Sequence, residues 1–274
     1  MPKYLKKNNI RCDYVFCTGD IRTANAESNH FPDESARFLI DLGIAVGTST
    51  DRLFIVPGNH DVDRDATGRD EVIRKICFQR NGYYDPKYGK IEEDDLKEVY
   101  SGQEEFREFL SKIYTADRMA KYANPLNPHF NVETENFNIL HIDSTLTYTK
   151  DQESVDLVIG TKLLQNALKE LNPDKPTVLL SHYPFTSLLQ EEKKYVRELL
   201  YRKGVCLIGI PENSHSLLWS ILEICQEDIG LVLPSVYTRR GKTERMPSFL
   251  CSFRRTMSSW RHIPRAEFLF FLFR

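Results

Sequence analysis

Short apolar runs that stop abruptly on polar residues recur along this chain, and helical patterns separate them. "DYVFCTGD" (13–20) is a continuous apolar run ending on Thr-Gly-Asp, which predicts a strand buried on both faces. In "DESARFLIDLG" (33–43), Asp33 is a candidate cap, Phe38, Leu39 and Leu42 share one helical face, and Gly43 is placed to end the helix. "RLFIVPGNHD" (52–61) is the next strand pattern, so the three segments predict a βαβ unit.

From about 66 to 130 the chain turns charged and helical, as in "EEDDLKEVYSGQEEFREFLSKIY", with Tyr- and Pro-bearing loops. By its position this is an insertion or lid. Its acidic run 92–95 reads as a solvated helix start. Strands resume with "FNILHID" (137–143) and "TVLLSHYPF" (177–185), separated by the amphipathic "GTKLLQNALKELNP", and after "EEKKYVRELLYRKG" comes "VCLIGI" (205–210), the last clear strand. The class this predicts is α/β, with residues 1–230 as one domain and 231–274 as a basic, atypical tail.

Composition narrows the picture only slightly. The chain has 274 residues, 41% hydrophobic and 28% charged, enough for a substantial core, and a formal charge of -2 argues against a generally basic nucleic-acid binder. The six cysteines form no C-x-x-C pair and suit reduced core positions in a cytoplasmic protein. The first residues show no apolar signal region, and "FLFFLF" (268–273) is too short to span a bilayer.

The candidate chemistry lies at strand ends. Open α/β sheets carry their sites at the carboxyl ends of strands, and here those ends bear Asp20, then Asn59 with His60 and Asp61, then His182. Each taken alone also fits a surface turn, since Thr-Gly-Asp, Pro-Gly-Asn and Ser-His-Tyr-Pro are good turn chemistry. Taken together in this order they fit hard ligands delivered to one edge. His30, His129, His141 and His262 sit in no such motif and are expected to be structural or exposed.

On "TGD" (18–20), "GNHD" (58–61) and "SHYP" (181–184), residues 10–210 resemble the calcineurin-like metallophosphoesterase family. The resemblance implies a double β-sheet sandwich flanked by helices, holding two divalent metal ions (Mn, Fe or Zn). It implies hydrolysis of a phosphomonoester or phosphodiester, in a small molecule or a nucleic acid. Asp20 would bridge the metals, Asn59 and His182 would bind the second one, and His60 would face the phosphate with Asp61 orienting its ring. The residue types suit that chemistry, because two cations about 3.5–4 Å apart clamp phosphate oxygens and activate an in-line nucleophile.

The sequence departs from the family pattern at both ends. No D-x-H precedes Asp20, and "MPKYLKKNN" reads as the end of the helix that would follow that first strand. Gly209 is followed by "IPENSHSLLW" in place of G-H-x-H, leaving His215 as the one nearby substitute ligand. Residues 231–274 hold nine basic and two acidic residues, a switch that reads as a translated frameshift or, alternatively, as a nucleic-acid patch whose binding would be salt-sensitive. The expectation is a sandwich lacking its first strand, with exposed backbone at that edge, one cation held well and little turnover. The rival is a non-catalytic remnant or interaction module of the same fold.

Overall fold

The structure, a computed structural model, describes residues 2–22, 31–64, 66, 68–78, 83–149, 156–203, 205–207, 248–249 and 268–271. The element order begins with helix α1 (Pro2–Lys7), strand β1 (Tyr14–Cys17), helix α2 (Phe31–Val46) and strand β2 (Leu53–Ile55). β1 and β2 pair in parallel with Val15 opposite Leu53, so the βαβ unit forms as its pattern predicts. α2 runs through Gly43 and stops before Gly47, whose φ of +78° is the left-handed conformation that closes a helix. Gly43 is tolerated inside the helix because the packed face of Leu39 and Leu42 outweighs its propensity cost of about 1 kcal/mol.

The inserted region supplies α3 (Arg69–Cys77), α4 (Glu93–Ser101), α5 (Glu104–Ser111) and α6 (Ala116–Tyr122). The chain then forms β3 (Phe130–Glu133), β4 (Asn138–Ile142), α7 (Thr161–Lys169), β5 (Thr177–Ser181), α8 (Gln190–Arg202) and β6 (Cys206–Leu207). Two short strands follow, β7 (Ser248–Phe249) and β8 (Phe268–Phe271).

These strands form two four-stranded sheets, ordered β2-β1-β8-β7 and β3-β4-β5-β6. Alternation along each strand sorts the side chains between layers. Tyr14, Phe16, Phe54 and Val56 of the first sheet meet Phe137, Ile139, Val178 and Leu180 of the second, forming the dry centre of a sandwich. The opposite face of the first sheet, with Val15, Cys17, Leu53 and Ile55, is covered by α2 and α5 through Leu39, Leu42, Phe106 and Phe109. The outer face of the second sheet, with Leu140, Ile142 and Leu179, is covered by α7 and α8 through Leu164, Leu168, Val196 and Leu200. The architecture is the helix-flanked double sandwich.

One expectation is corrected. The edge of β1 opposite β2 does not stay open: β8 pairs with it in parallel, Tyr14 opposite Phe268 through Cys17 opposite Phe271. A strand end left bare would expose unpaired N–H and C=O groups, and a β-prone apolar segment satisfies them whatever its position in the chain. No strand precedes β1 among the described residues.

Candidate metal centre at the strand ends

The site begins with two glycines. Gly19 (φ +93°) and Asp20 (φ +53°) take left-handed conformations at the end of β1, turning the chain sharply so that Asp20 comes back toward the sheet edge. A Cβ on Gly19 would overlap the backbone of Pro57 and Gly58, and one on Gly58 would overlap the backbone and carboxylate of Asp20. The loops after β1 and β2 therefore interlock at a distance only glycine permits.

That approach brings the strand-end residues together. His60 donates its backbone N–H to Asp20 Oδ1 at 3.1 Å, and His182 Nε2 lies 3.6 Å from the same oxygen. His182 Nε2 is also 3.1 Å from Asn59 Oδ1. The other imidazole nitrogen, Nδ1, lies 2.6 Å from the carbonyl of Thr18, to which it donates. In a ring carrying one proton this places the lone pair on Nε2. Asn59 donates Nδ2 to the Tyr148 hydroxyl at 3.3 Å, so its amide oxygen is the atom turned inward. A carboxylate oxygen, an amide oxygen and an imidazole nitrogen thus converge with their electron pairs facing one another, an arrangement a cation relieves. Asn59 and His182 are buried.

Asp61 departs from the role the resemblance implied. Its carboxylate accepts the backbone N–H of Arg22 at 2.9 Å and of Gly58 at 2.8 Å, and no hydrogen bond joins it to the His60 ring among the described residues. The reason is local: Asp61 closes the single 3₁₀ turn Asn59–Asp61, and a carboxylate at the third position folds back over the turn's first N–H. Burial pushes its pKa up to about 7, against the pull of those two N–H donors. His60 Nδ1 is buried without a hydrogen-bond partner among the described residues.

The remaining histidines divide as follows. His129 is buried, its Nε2 meeting the Ile159 carbonyl and its Nδ1 accepting the N–H of Asp143, and burial lowers its pKa. His141 stacks on Phe130 inside the sandwich, and burial takes its pKa down to about 3. Both are structural. His30, His215 and His262 lie outside the described residues, so the substitute ligand His215 has no placement here.

Residues that no motif singled out complete the surroundings. Tyr148 stacks on Tyr183, the neighbour of His182, with ring centres 5.8 Å apart. Arg69, fully buried, donates to the carbonyls of Val99, Leu146 and Tyr148 and pins the loop that carries Tyr148. Asp143 accepts from Gln103 Nε2 and from the N–H and hydroxyl of Thr145. The available signal was position alone, since residues 143–149 follow β4 at the same sheet edge.

A sandwich with ligand-type residues converging from three strand ends defines a metallophosphoesterase-type protein. The family profile described as calcineurin-like phosphoesterase matches residues 2–209, and the chain belongs to that family. A protein of Bacillus subtilis (strain 168), described as an uncharacterized metallophosphoesterase-like protein, YydB, is 24% identical over 190 residues. The match covers 68% of this chain and 37% of that relative's length. No solved structure matches the chain.

Proposed function

We propose that this chain is a divalent-cation-dependent phosphoesterase whose one well-furnished cation position is formed by Asp20, Asn59 and His182. One observation supports this above all: three electron-pair donors face each other, with the imidazole held as the Nε2 lone-pair tautomer by Thr18. The donor set of two oxygens and one nitrogen suits manganese, iron or zinc, with manganese favoured by the oxygen majority. Such a cation, when bound, supplies Lewis acidity toward phosphate oxygens and makes water a better nucleophile at neutral pH.

In this reading the chain's own groups divide the work. Asp20 contributes the negative charge, and its geometry is held by the His60 N–H. Asn59 and His182 add donors without adding charge, which keeps the position electrophilic. His60, adjacent to Asn59 and with an unpartnered Nδ1, is the group assigned to hold a proton toward the ester oxygens. Asp61 is a positioning residue, holding the loop after β1 to the turn after β2. The substrate is a phosphomonoester or phosphodiester, in a small molecule or a nucleic acid. A cytoplasmic setting belongs to the same proposal, with Cys12, Cys17 and Cys77 buried as thiols in support.

A second reading, a weakly active or non-catalytic module of this fold, draws on a specific observation. Among the described residues no group of three or more His, Cys, Asp or Glu side chains is placed to hold a metal ion together, so among them a second cation has only the shared Asp20. The test is the purified chain supplied with Mn²⁺ and assayed on p-nitrophenyl phosphate and its bis-ester. The expected result is saturable Mn²⁺ binding with slow turnover that Asp20→Asn abolishes, whereas binding with no turnover at all would carry the second reading. Robust turnover lost in Asp20→Asn would overturn the single-cation count, and an absence of Mn²⁺ binding would overturn the cation site itself.

The described helices include none long and apolar enough to cross a membrane. Most of the basic tail, residues 231–274, lies outside the described residues, and nucleic-acid binding through it stays a separate expectation.

A further inference from the structure

We infer that Tyr148 is a positioning residue of the cation site, its phenol oxygen holding the Asn59 amide with Oδ1 turned toward His182 Nε2. The inference rests on the cation-binding reading above and extends it to a residue outside every motif.

A side-chain amide offers two faces, an accepting oxygen and a donating NH₂, and only the oxygen serves a cation. With the amide flipped, Nδ2 would point at His182 Nε2, which as a lone-pair acceptor welcomes a donor when no cation lies between them. That orientation is the competitor of cation binding. In the observed one, Nδ2 faces away from the cluster, inside the protein, and Asn59 is buried, so its N–H needs an acceptor there. The Tyr148 hydroxyl is that acceptor at 3.3 Å. Without the hydroxyl, the oxygen-inward state would leave a buried N–H unpaired.

The surroundings hold the phenol in place. Its ring stacks on Tyr183, its backbone carbonyl accepts Arg69 Nη1 at 2.6 Å, and its N–H donates to Thr145 O at 2.9 Å. Three independent anchors on one residue fix its hydroxyl against Asn59 before any ligand arrives, so little ordering remains to be done on binding.

The experiment is a double-mutant cycle read by Mn²⁺ titration calorimetry, using Tyr148→Phe, Asn59→Asp and the pair. Tyr148→Phe removes one oxygen and keeps the stacked ring. It is expected to weaken Mn²⁺ binding about 10- to 100-fold, the usual effect of losing a partner that orients a ligand. In the Asn59→Asp background the side chain presents an oxygen to the cation whichever way it turns, so adding Tyr148→Phe is expected to change affinity less than about twofold. An equal loss in both backgrounds, or no loss with Asn59 present, overturns the inference while leaving the cation site intact. Absence of saturable Mn²⁺ binding by the wild-type chain overturns the cation reading and this inference with it.

Discussion

His182 Nε2 and Asn59 Oδ1 lie 3.1 Å apart although 123 positions separate them in sequence. The two residues end strands of different sheets, β5 and β2, so the contact exists only because the sandwich brings both carboxyl ends to one edge. With Nδ1 committed to the Thr18 carbonyl, a singly protonated His182 ring and Asn59 face each other acceptor to acceptor, and a cation converts that opposition into two bonds.

A ligand-linked stability effect follows. At Mn²⁺ concentrations near 100 times the dissociation constant, binding to the folded chain adds about 2.7 kcal/mol. Thermal unfolding of the wild-type chain is expected to shift upward with Mn²⁺ and to return with EDTA. His182→Ala should unfold at the same temperature with and without the metal. A shift of wild-type size in that variant would remove His182 from the ligand set.

Gly58 has no room for a side chain, because its Cβ would overlap the Asp20 backbone and carboxylate. Gly58→Ala is expected to push Asp20 out of position, lowering Mn²⁺ affinity by at least about tenfold, in line with the sensitivity of metal sites to their supports. Destabilisation from the overlap should fall in the overpacking range of about 1–3 kcal/mol. Titration calorimetry and urea unfolding of the same preparation read the two effects, and unchanged affinity would show that the two loops separate freely.

Arg69 is the largest fully buried charged side chain among the described residues, and its three donors serve three carbonyls on α4 and the loop after β4. Burial takes its pKa down to about 10, so it remains charged at neutral pH. Arg69→Met leaves those carbonyls buried without it and is expected to cost on the order of 3–5 kcal/mol by urea unfolding. A cost under about 1 kcal/mol would mean that water replaces the guanidinium.

Glu192, buried at the start of α8, accepts the N–H groups of Ile159 and Gly160 and the hydroxyl of Tyr84. Burial raises its pKa from 4.5 to about 7, outweighing those donors. A carboxyl whose folded pKa is raised binds more protons folded than unfolded between those values. Its contribution is therefore fully present below about pH 4.5 and is lost as pH rises to about 7, on the order of 3 kcal/mol in all. Comparing urea unfolding of wild type and Glu192→Gln from pH 4.5 to 8 isolates this slope, which should vanish in the variant. Parallel pH profiles would assign the dependence to other groups.

Much of this was written in local pattern. Apolar runs gave β1, β2, β4 and β5 because a strand buried on both faces needs consecutive apolar residues, and the ligand-type residues stood at their ends. The end of α2 was not legible at Gly43, because packing of one helical face overrides a single weak residue and the left-handed Gly47 is the true stop. The N–H groups of Arg22 and Gly58 as partners of Asp61 were not legible, because a motif names a residue without saying which donors its carboxylate will meet.

The sequence by itself determined the α/β class and put Asp20, Asn59, His60 and His182 after strand patterns, since hydrophobic period and strand-end chemistry are local properties of the chain. Tertiary structure alone decided that β8 closes the edge of β1, that Tyr148 partners Asn59, and that Arg69 anchors the loop behind it. Those facts depend on unpaired backbone edges and buried polar groups finding whichever partner the fold brings within reach, and no local pattern encodes which partner that is.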